Sequence, residues 1–205
     1  MRWKDPLSLE KLLDSSSVLG VAFYSRGAID VARDLLGTVV VHGRTAGRVV
    51  EVEAYLGLDD LAAHASRGMT NRTRVLFGPP GHAYVYLIYG MYECLNLVAE
   101  PAGSAGCVLI RALEPVCGLE RMRARRPAAR KPEQLCSGPG KLTLAMGITR
   151  ELNGAPVTRG ELTVRAPAEP DPFEIAVSPR IGINQCVDWP LRFYIAGSAF
   201  VSKPR

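Results

Sequence analysis

Arg48-Val49-Val50-Glu51-Val52-Glu53-Ala54-Tyr55-Leu56-Gly57 is the stretch whose reading decides the fold. Val50, Val52, Ala54 and Leu56 alternate with Glu51, Glu53 and Tyr55, the period of two that marks a β-strand. The aliphatic face belongs on a core. The other face carries two carboxylates and a phenol. An ordinary solvated face would accommodate all three, and this strand alone leaves that reading open.

Upstream, Ala28–Leu36 has apolar residues at helical spacing and stops at Gly37. Thr38–His42 reads as a strand that turns at Gly43 into the central one. Residues 1–24 form an N-terminal extension, with a short helix around Ser8–Leu13 and a Ser-rich connector, and show no chemistry. Its Val18–Tyr24 run is too short, and comes too late after charged residues, to be a signal-peptide core.

Downstream, Gly81–Leu97 reads as two alternating strands joined by a tight turn at Tyr89-Gly90. Tyr84 and Tyr86 share a face, whereas Tyr89 sits at the turn, where a large ring has no core to fill. Such a ring calls for a partner. Between the central strand and this hairpin, Asp59 and Asp60 open a turn or helix and His64 follows. Arg67, Arg72 and Arg74 then lie in a Gly/Asn/Thr-rich loop, which is either a solvated loop or a phosphate contact.

Leu109–Leu113 is a strand that sets Arg111 among aliphatic neighbours, a costly position unless a carboxylate or phosphate pairs with it. Pro115 permits a helix start, and Val116–Arg126 reads as helical, with Arg121, Arg123, Arg125 and Arg126 on it. Ser137-Gly138-Pro139-Gly140-Lys141-Leu142 looks like a second helix start capped by Ser137, with N–H groups suited to an anion. It does not satisfy the Walker A pattern. Glu161–Arg165, Phe173–Val177 and Leu191–Ala196 read as further strands.

The 205 residues suffice for one domain spanning 1–205, and no apolar run approaches the ~20 residues of a membrane span. Five cysteines form no CxxC pair and suit a reducing cytoplasm. His42, His64 and His82 show no metal-ligand spacing, so neither a metal nor a cofactor is expected. The net charge of +5 is unevenly placed: residues 61–141 hold 11 Arg/Lys against 5 Asp/Glu, and the remainder 14 against 15. Base composition of the genome explains a preference for Arg but not its clustering. A basic, tyrosine-rich middle third is the footprint of nucleic-acid binding.

Three functions fit these residues. Glu51 and Glu53 stand about 6.6–6.8 Å apart along a strand, near the ~6.5–9.5 Å of inverting glycoside hydrolases. A carbohydrate cleft, however, does not call for a concentrated positive field. A non-catalytic module could stack single-stranded bases on tyrosines and hold phosphates with arginines. That leaves two acids facing a polyanion unexplained. Carboxylates kept inside a basic, aromatic site argue instead for catalysis on a nucleic acid.

VEVEAYLG, the following Ala62-Ala63-His64, YVYLIYGMYECLN, CVLIRALEP and LCSGPGKL, in this order and spacing, resemble the alkyladenine (3-methyladenine) DNA glycosylase family. The resemblance covers roughly Ala28 to Val201. It implies an α+β domain with a curved, mainly antiparallel sheet, surrounding helices and a protruding β-hairpin. It implies a monofunctional enzyme of base excision repair. Such an enzyme flips alkylated purines (3-methyladenine, 7-methylguanine, and as an open question hypoxanthine and ethenoadenine) out of duplex DNA and hydrolyses the N-glycosidic bond.

By the same resemblance Glu53 matches the general base, with Arg111 helping to hold the water or an adjacent phosphate. Tyr55, His64 and Tyr86 match the base pocket, Asn96 the filter against the guanine amino group, and Tyr89 the intercalating residue. Lys141 matches a DNA-backbone contact, a role also expected for Arg67 and Arg72. The expected partner is double-stranded DNA carrying damaged purines, met by a monomer in the cytoplasm (at the nucleoid if bacterial), with no membrane. Residues flanking the hairpin tip, the short N-terminal region and the Arg67–Arg74 loop depart from better-known relatives, which bears on substrate breadth and not on the reaction.

Overall fold

The central stretch is an 11-residue strand flanked along its whole length. A computed structural model describes residues 5–202 and places the elements in the order α1 (Leu9–Asp14), β1 (Ser16–Val18), α2 (Val21–Tyr24), α3 (Ala28–Leu35), β2 (Val39–His42) and β3 (Thr45–Tyr55). There follow β4 (Ala83–Ile88), β5 (Tyr92–Val98), β6 (Cys107–Cys117), α4 (Leu119–Arg125), α5 (Pro139–Met146), β7 (Leu162–Pro167), β8 (Ile175–Ser178) and β9 (Arg192–Ile195). The described strands form a nine-stranded sheet in the order β1-β7-β2-β3-β6-β5-β4, with β9 joining β3 and β8 joining β9. Every pairing is antiparallel. The fold is α+β, as the resemblance implies.

Two neighbours share one edge of β3. Thr45–Arg48 pairs with β2 and Glu51–Glu53 with β9, while β6 lines the other edge. Between these halves the β3–β6 register slips at Val49/Glu51, leaving Val50 as an extra residue. A bulge of this kind bends a strand and re-aims its side chains. It falls immediately before the two glutamates.

Sheet and helices share a core in which Val31, Ala32 and Leu35 of α3 and Leu142, Ala145 and Met146 of α5 pack against Val50, Val52, Leu97 and Ile110. Glu51 and Glu53 are fully buried as well, which overturns the solvated-face reading.

Two readings need correction. The helix expected over Val116–Arg126 starts only at Leu119, because β6 runs on through Pro115 to Cys117. Pro115 sits beside a register slip, opposite Gly47, where its missing N–H interrupts no regular ladder. Gly118, at φ 77, then makes the corner into α4. Ser137 does not cap α5: Gly138 holds the N-cap position without a side-chain bond, and Ser137 bridges to Ala112 on β6. In the N-terminal extension the Ser-rich connector contains β1, whose partner is the distant β7.

No helix among the described residues is long and apolar enough to cross a membrane. Four of the five cysteines are buried and Cys186 is half-buried, all as free thiols. No cluster of three or more His, Cys, Asp or Glu with metal-binding geometry occurs among the described residues.

Candidate active site

The bulge and the antiparallel frame turn Glu51 and Glu53 toward β6 and β9, where arginines meet them. Glu51 accepts from Arg111 Nε at 3.0 Å, from Arg192 Nε at 2.7 Å, and from the Ser202 N–H at 2.6 Å and its hydroxyl at 2.8 Å. Both of its oxygens are occupied. Its role is to hold two buried guanidinium groups and the chain end around Ser202. The Arg111 partner expected from the sequence is therefore a pair of carboxylates rather than a phosphate.

Glu53 is bonded differently. Its Oε1 lies 3.1 Å from Arg111 Nη1 and accepts the Ile181 N–H at 2.7 Å, and its Oε2 accepts the Tyr55 hydroxyl at 3.0 Å. Burial pushes its carboxyl above the usual carboxylate range, against the pull of Arg111, the Ile181 N–H and the Tyr55 hydroxyl. Burial and the adjacent Glu53 push the Tyr55 phenol well up, so that it stays protonated and donates.

In front of this pair lies an open cavity of about 1170 Å³. Tyr55, His64, Tyr84, Tyr86, Asn96 and Arg111 line it, as do Arg67, Arg72 and Lys141. Glu53 itself stands one layer behind the wall, screened by Tyr55 and Arg111. The structure thus gathers nine of the ten expected site residues on one concavity, Tyr89 on its rim among them, with Glu53 behind it.

The aromatic wall is cross-braced. His64 and Tyr86 meet edge to face with centroids 4.5 Å apart, and Tyr84 and Tyr86 lie 5.3 Å apart. His64 Nδ1 is 3.0 Å from the Tyr84 hydroxyl. Burial, and then the nearby Arg72 and Arg67, hold the imidazole below its ordinary range, so His64 is neutral at neutral pH. Arg72 itself stacks on Tyr86 at 5.0 Å. Arg72 and Arg67 are both exposed, as a solvated loop expects, and both border the cavity. The Asn96 Nδ2 donates to the Tyr84 carbonyl at 3.2 Å, which fixes the amide across the hairpin.

The turn between β4 and β5 places Tyr89 at φ 53 and Gly90 at φ 69, and the Met91 N–H donates to the Ile88 carbonyl at 3.2 Å. Left-handed backbone is ordinary for Gly90 but uncommon for a tyrosine. The ring is 76% exposed, and Met91 beside it is 70% exposed. Glycine is also required at Gly140, where a Cβ would approach Tyr92 Cβ to 2.8 Å, so the first turn of α5 seats directly on the hairpin.

A family comparison decides what such a site belongs to. The family model for methylpurine-DNA glycosylase (MPG) matches residues 22–199. The chain belongs to the methylpurine-DNA glycosylase family. Among similar curated proteins is one from Methanoculleus marisnigri, named "Putative 3-methyladenine DNA glycosylase", 53% identical over 191 residues that cover 90% of this chain and 98% of the relative. Proteins of the same name from Rhodopseudomonas palustris and Frankia casuarinae are 49% and 45% identical, covering 89% and 94% of this chain and 86% and 95% of their own length.

A methylpurine-DNA glycosylase is a hydrolase of N-glycosyl bonds in DNA and an enzyme of base excision repair. This removes the carbohydrate and the non-catalytic readings. The occupied Glu51 also leaves no second carboxylate for a two-acid glycoside hydrolase.

Sequence reasoning missed several groups of this methylpurine-DNA glycosylase site. Tyr84 was placed on the right face but given no role. Arg180 and Asp60, both fully buried, form a bidentate ion pair below Tyr55. Arg192 lies between Leu191 and Phe193, the same signal of a cation among apolar neighbours that singled out Arg111. The Ile181 N–H has no signal in sequence at all.

Proposed function

We propose that the chain excises alkylated purines, 3-methyladenine and 7-methylguanine foremost, from duplex DNA by direct attack of water, with Glu53 as the base. One observation carries this reading: Glu53 is a fully buried carboxylate bonded to the cavity-wall phenol Tyr55 and to a single cation, whereas its strand neighbour Glu51 is shared between two cations, Arg111 and Arg192, and Ser202. A general base works best with its pKa near the operating pH, and burial moves Glu53 in that direction.

A base inside a duplex is out of reach of any such group, so the nucleotide leaves the stack at a cost of a few kcal/mol. Tyr89, at the exposed hairpin tip, fills the gap. The extruded base stacks on Tyr55 with His64 and Tyr86 opposite, and the immobilised Asn96 amide meets the edge on which guanine carries its amino group. Water reaches Glu53 between Tyr55 and Arg111, both of which border the cavity. Arg111, held by both glutamates, fixes the carboxylate rather than a phosphate. Lys141, Arg67 and Arg72 at the cavity edge meet the DNA backbone. The protein acts as a one-domain monomer.

The test is a gel assay on a set of duplexes, each with a single modified purine, with strand breaks developed by alkali. Release from the 3-methyladenine and 7-methylguanine duplexes is expected, and the hypoxanthine and ethenoadenine duplexes define the breadth. No release from any of them would overturn the reading.

A further inference from the structure

Two hydrogen bonds give the Glu53 carboxylate its orientation besides Arg111, and both donors trace back to one buried ion pair. The Asp60 carboxylate takes Arg180 in two bonds, the one from Nη2 at 2.9 Å, with both side chains at 0% exposure. Asp60 further accepts the Leu56 N–H at 3.2 Å and the Ala62 N–H at 3.1 Å, which ties it to the end of β3. Arg180 Nη1 also donates to the Ala54 carbonyl at 3.1 Å, between Glu53 and Tyr55 in sequence. The guanidinium lies 4.6 Å from the Tyr55 ring centre. The residue after Arg180 is Ile181, whose N–H sits on Glu53.

We propose that Asp60 and Arg180 are positioning residues for Glu53: the pair pins the Arg180–Ile181 backbone and the Tyr55 ring, and so keeps the Ile181 N–H and the Tyr55 hydroxyl on the carboxylate. The inference rests on Glu53 being the base, and neither residue of the pair touches the substrate. A purely structural ion pair explains the burial. It does not explain why one guanidinium contacts the backbone between the two site residues, faces the ring of one, and leads directly into the donor of the other.

The geometry predicts a signature in the pH profile. The charged and titratable groups that face Glu53 are Arg111 and Cys94 from β6 and β5, Glu51 and Tyr55 from its own strand, Arg180 from the loop between β8 and β9, and Arg192 opposite it on β9. The Ile181 and Tyr55 bonds favour the ionised carboxylate. Loosening them without touching Arg111 therefore raises the pH at which Glu53 loses its proton.

The experiment is single-turnover excision against pH for the full chain, using the double variant D60N/R180M, which leaves no unpaired charge, and the milder R180K. Each is also made in an E53Q background. Expected for D60N/R180M are a plateau rate about 10- to 100-fold lower and an acid limb moved up by about one pH unit. Damaged-duplex binding should not change. In the E53Q background the pair's removal costs nothing further, because it acts through Glu53. R180K, expected to fold where the double variant does not, shifts the limb the same way by less. An unmoved acid limb in both variants, or an equal further loss in the E53Q background, overturns the inference. Full activity of E53Q overturns instead the assignment of Glu53 itself, and the two failures are thereby told apart.

Discussion

The Tyr55 hydroxyl donates to Glu53 Oε2 at 3.0 Å, so the expected stacking platform and the expected base form one hydrogen-bonded unit on a single strand face. Glu51, two residues earlier, shares that face but bonds to two guanidinium groups and Ser202 instead of an aromatic of the cavity wall. The contrast yields a first prediction. Glu53→Gln keeps the shape, loses the base, and lowers single-turnover excision by about 10²-fold or more while damaged-duplex binding persists. Glu51→Gln instead leaves Arg192 facing a neutral group and Arg111 with Glu53 as its carboxylate partner. Its main effect is on stability, a loss of up to about 3–5 kcal/mol, read in denaturant. Near wild-type excision by Glu53→Gln would rule out the assignment.

The direction of the Glu53 shift makes a second prediction. The ionised form is the active one, and burial raises the pH at which it forms. The excision rate therefore falls as pH drops through a value above the ordinary ~4.3 of glutamate. Stability has the opposite sign. A carboxyl whose folded pKa exceeds its unfolded one loses stabilisation as pH rises through that window. Asp60 behaves the other way: burial opposes its ionisation, but the Arg180, Leu56 and Ala62 bonds bring it below the usual aspartate range. Its contribution is present above the ordinary aspartate value and is lost on acidification through the lowered one. A pH–rate profile with no acid limb above the ordinary glutamate value contradicts the first statement.

Tyr89→Ala tests the hairpin tip. The ring has no neighbour to cover, being 76% exposed on a backbone of positive φ, so truncation costs the fold little. Excision from fully paired duplex drops steeply, and the loss is smaller where the lesion faces a mismatch and is already unstacked. Equal losses on the two substrates would make Tyr89 a pocket residue instead.

How much of this was legible beforehand follows from the range of each interaction. The strand periodicity of Val50–Tyr55, the hairpin around Tyr89-Gly90 and the α3 stripe are local patterns, and the structure reproduces all three. Arg111 announced that it needed a partner, because a cation among aliphatic residues is costly alone. What sequence could not supply was the partner's identity: Glu51 and Glu53 lie about 60 residues away and meet Arg111 only through the β3–β6 register. The helix expected after Pro115 failed for a related reason. A long-range pairing with β3 held the chain extended where local propensity permitted a helix. Arg180 was invisible because its role depends on a loop from the far end of the chain folding under Tyr55.

The last prediction concerns what remains after the base has gone: an intact apurinic site and no cut strand. A glycosylase that also cleaves the strand needs an amine to attack C1′ and form a Schiff base, in most cases a lysine kept neutral by desolvation or a neighbouring cation. The chain has five lysines, of which Lys4 and Lys203 lie outside the described residues. Lys11 belongs to α1 and Lys131 to an exposed Pro-flanked loop, and only Lys141 lines the cavity. It stands in the first turn of α5, where free backbone N–H groups favour an anion such as phosphate. Nothing there favours an uncharged nucleophile, whereas Glu53 offers a base for water. Incubation of the protein with damaged duplex and borohydride should trap no covalent adduct, and breaks should appear only after alkali. A trapped adduct that vanishes in Lys141→Ala would replace the water mechanism with an amine one.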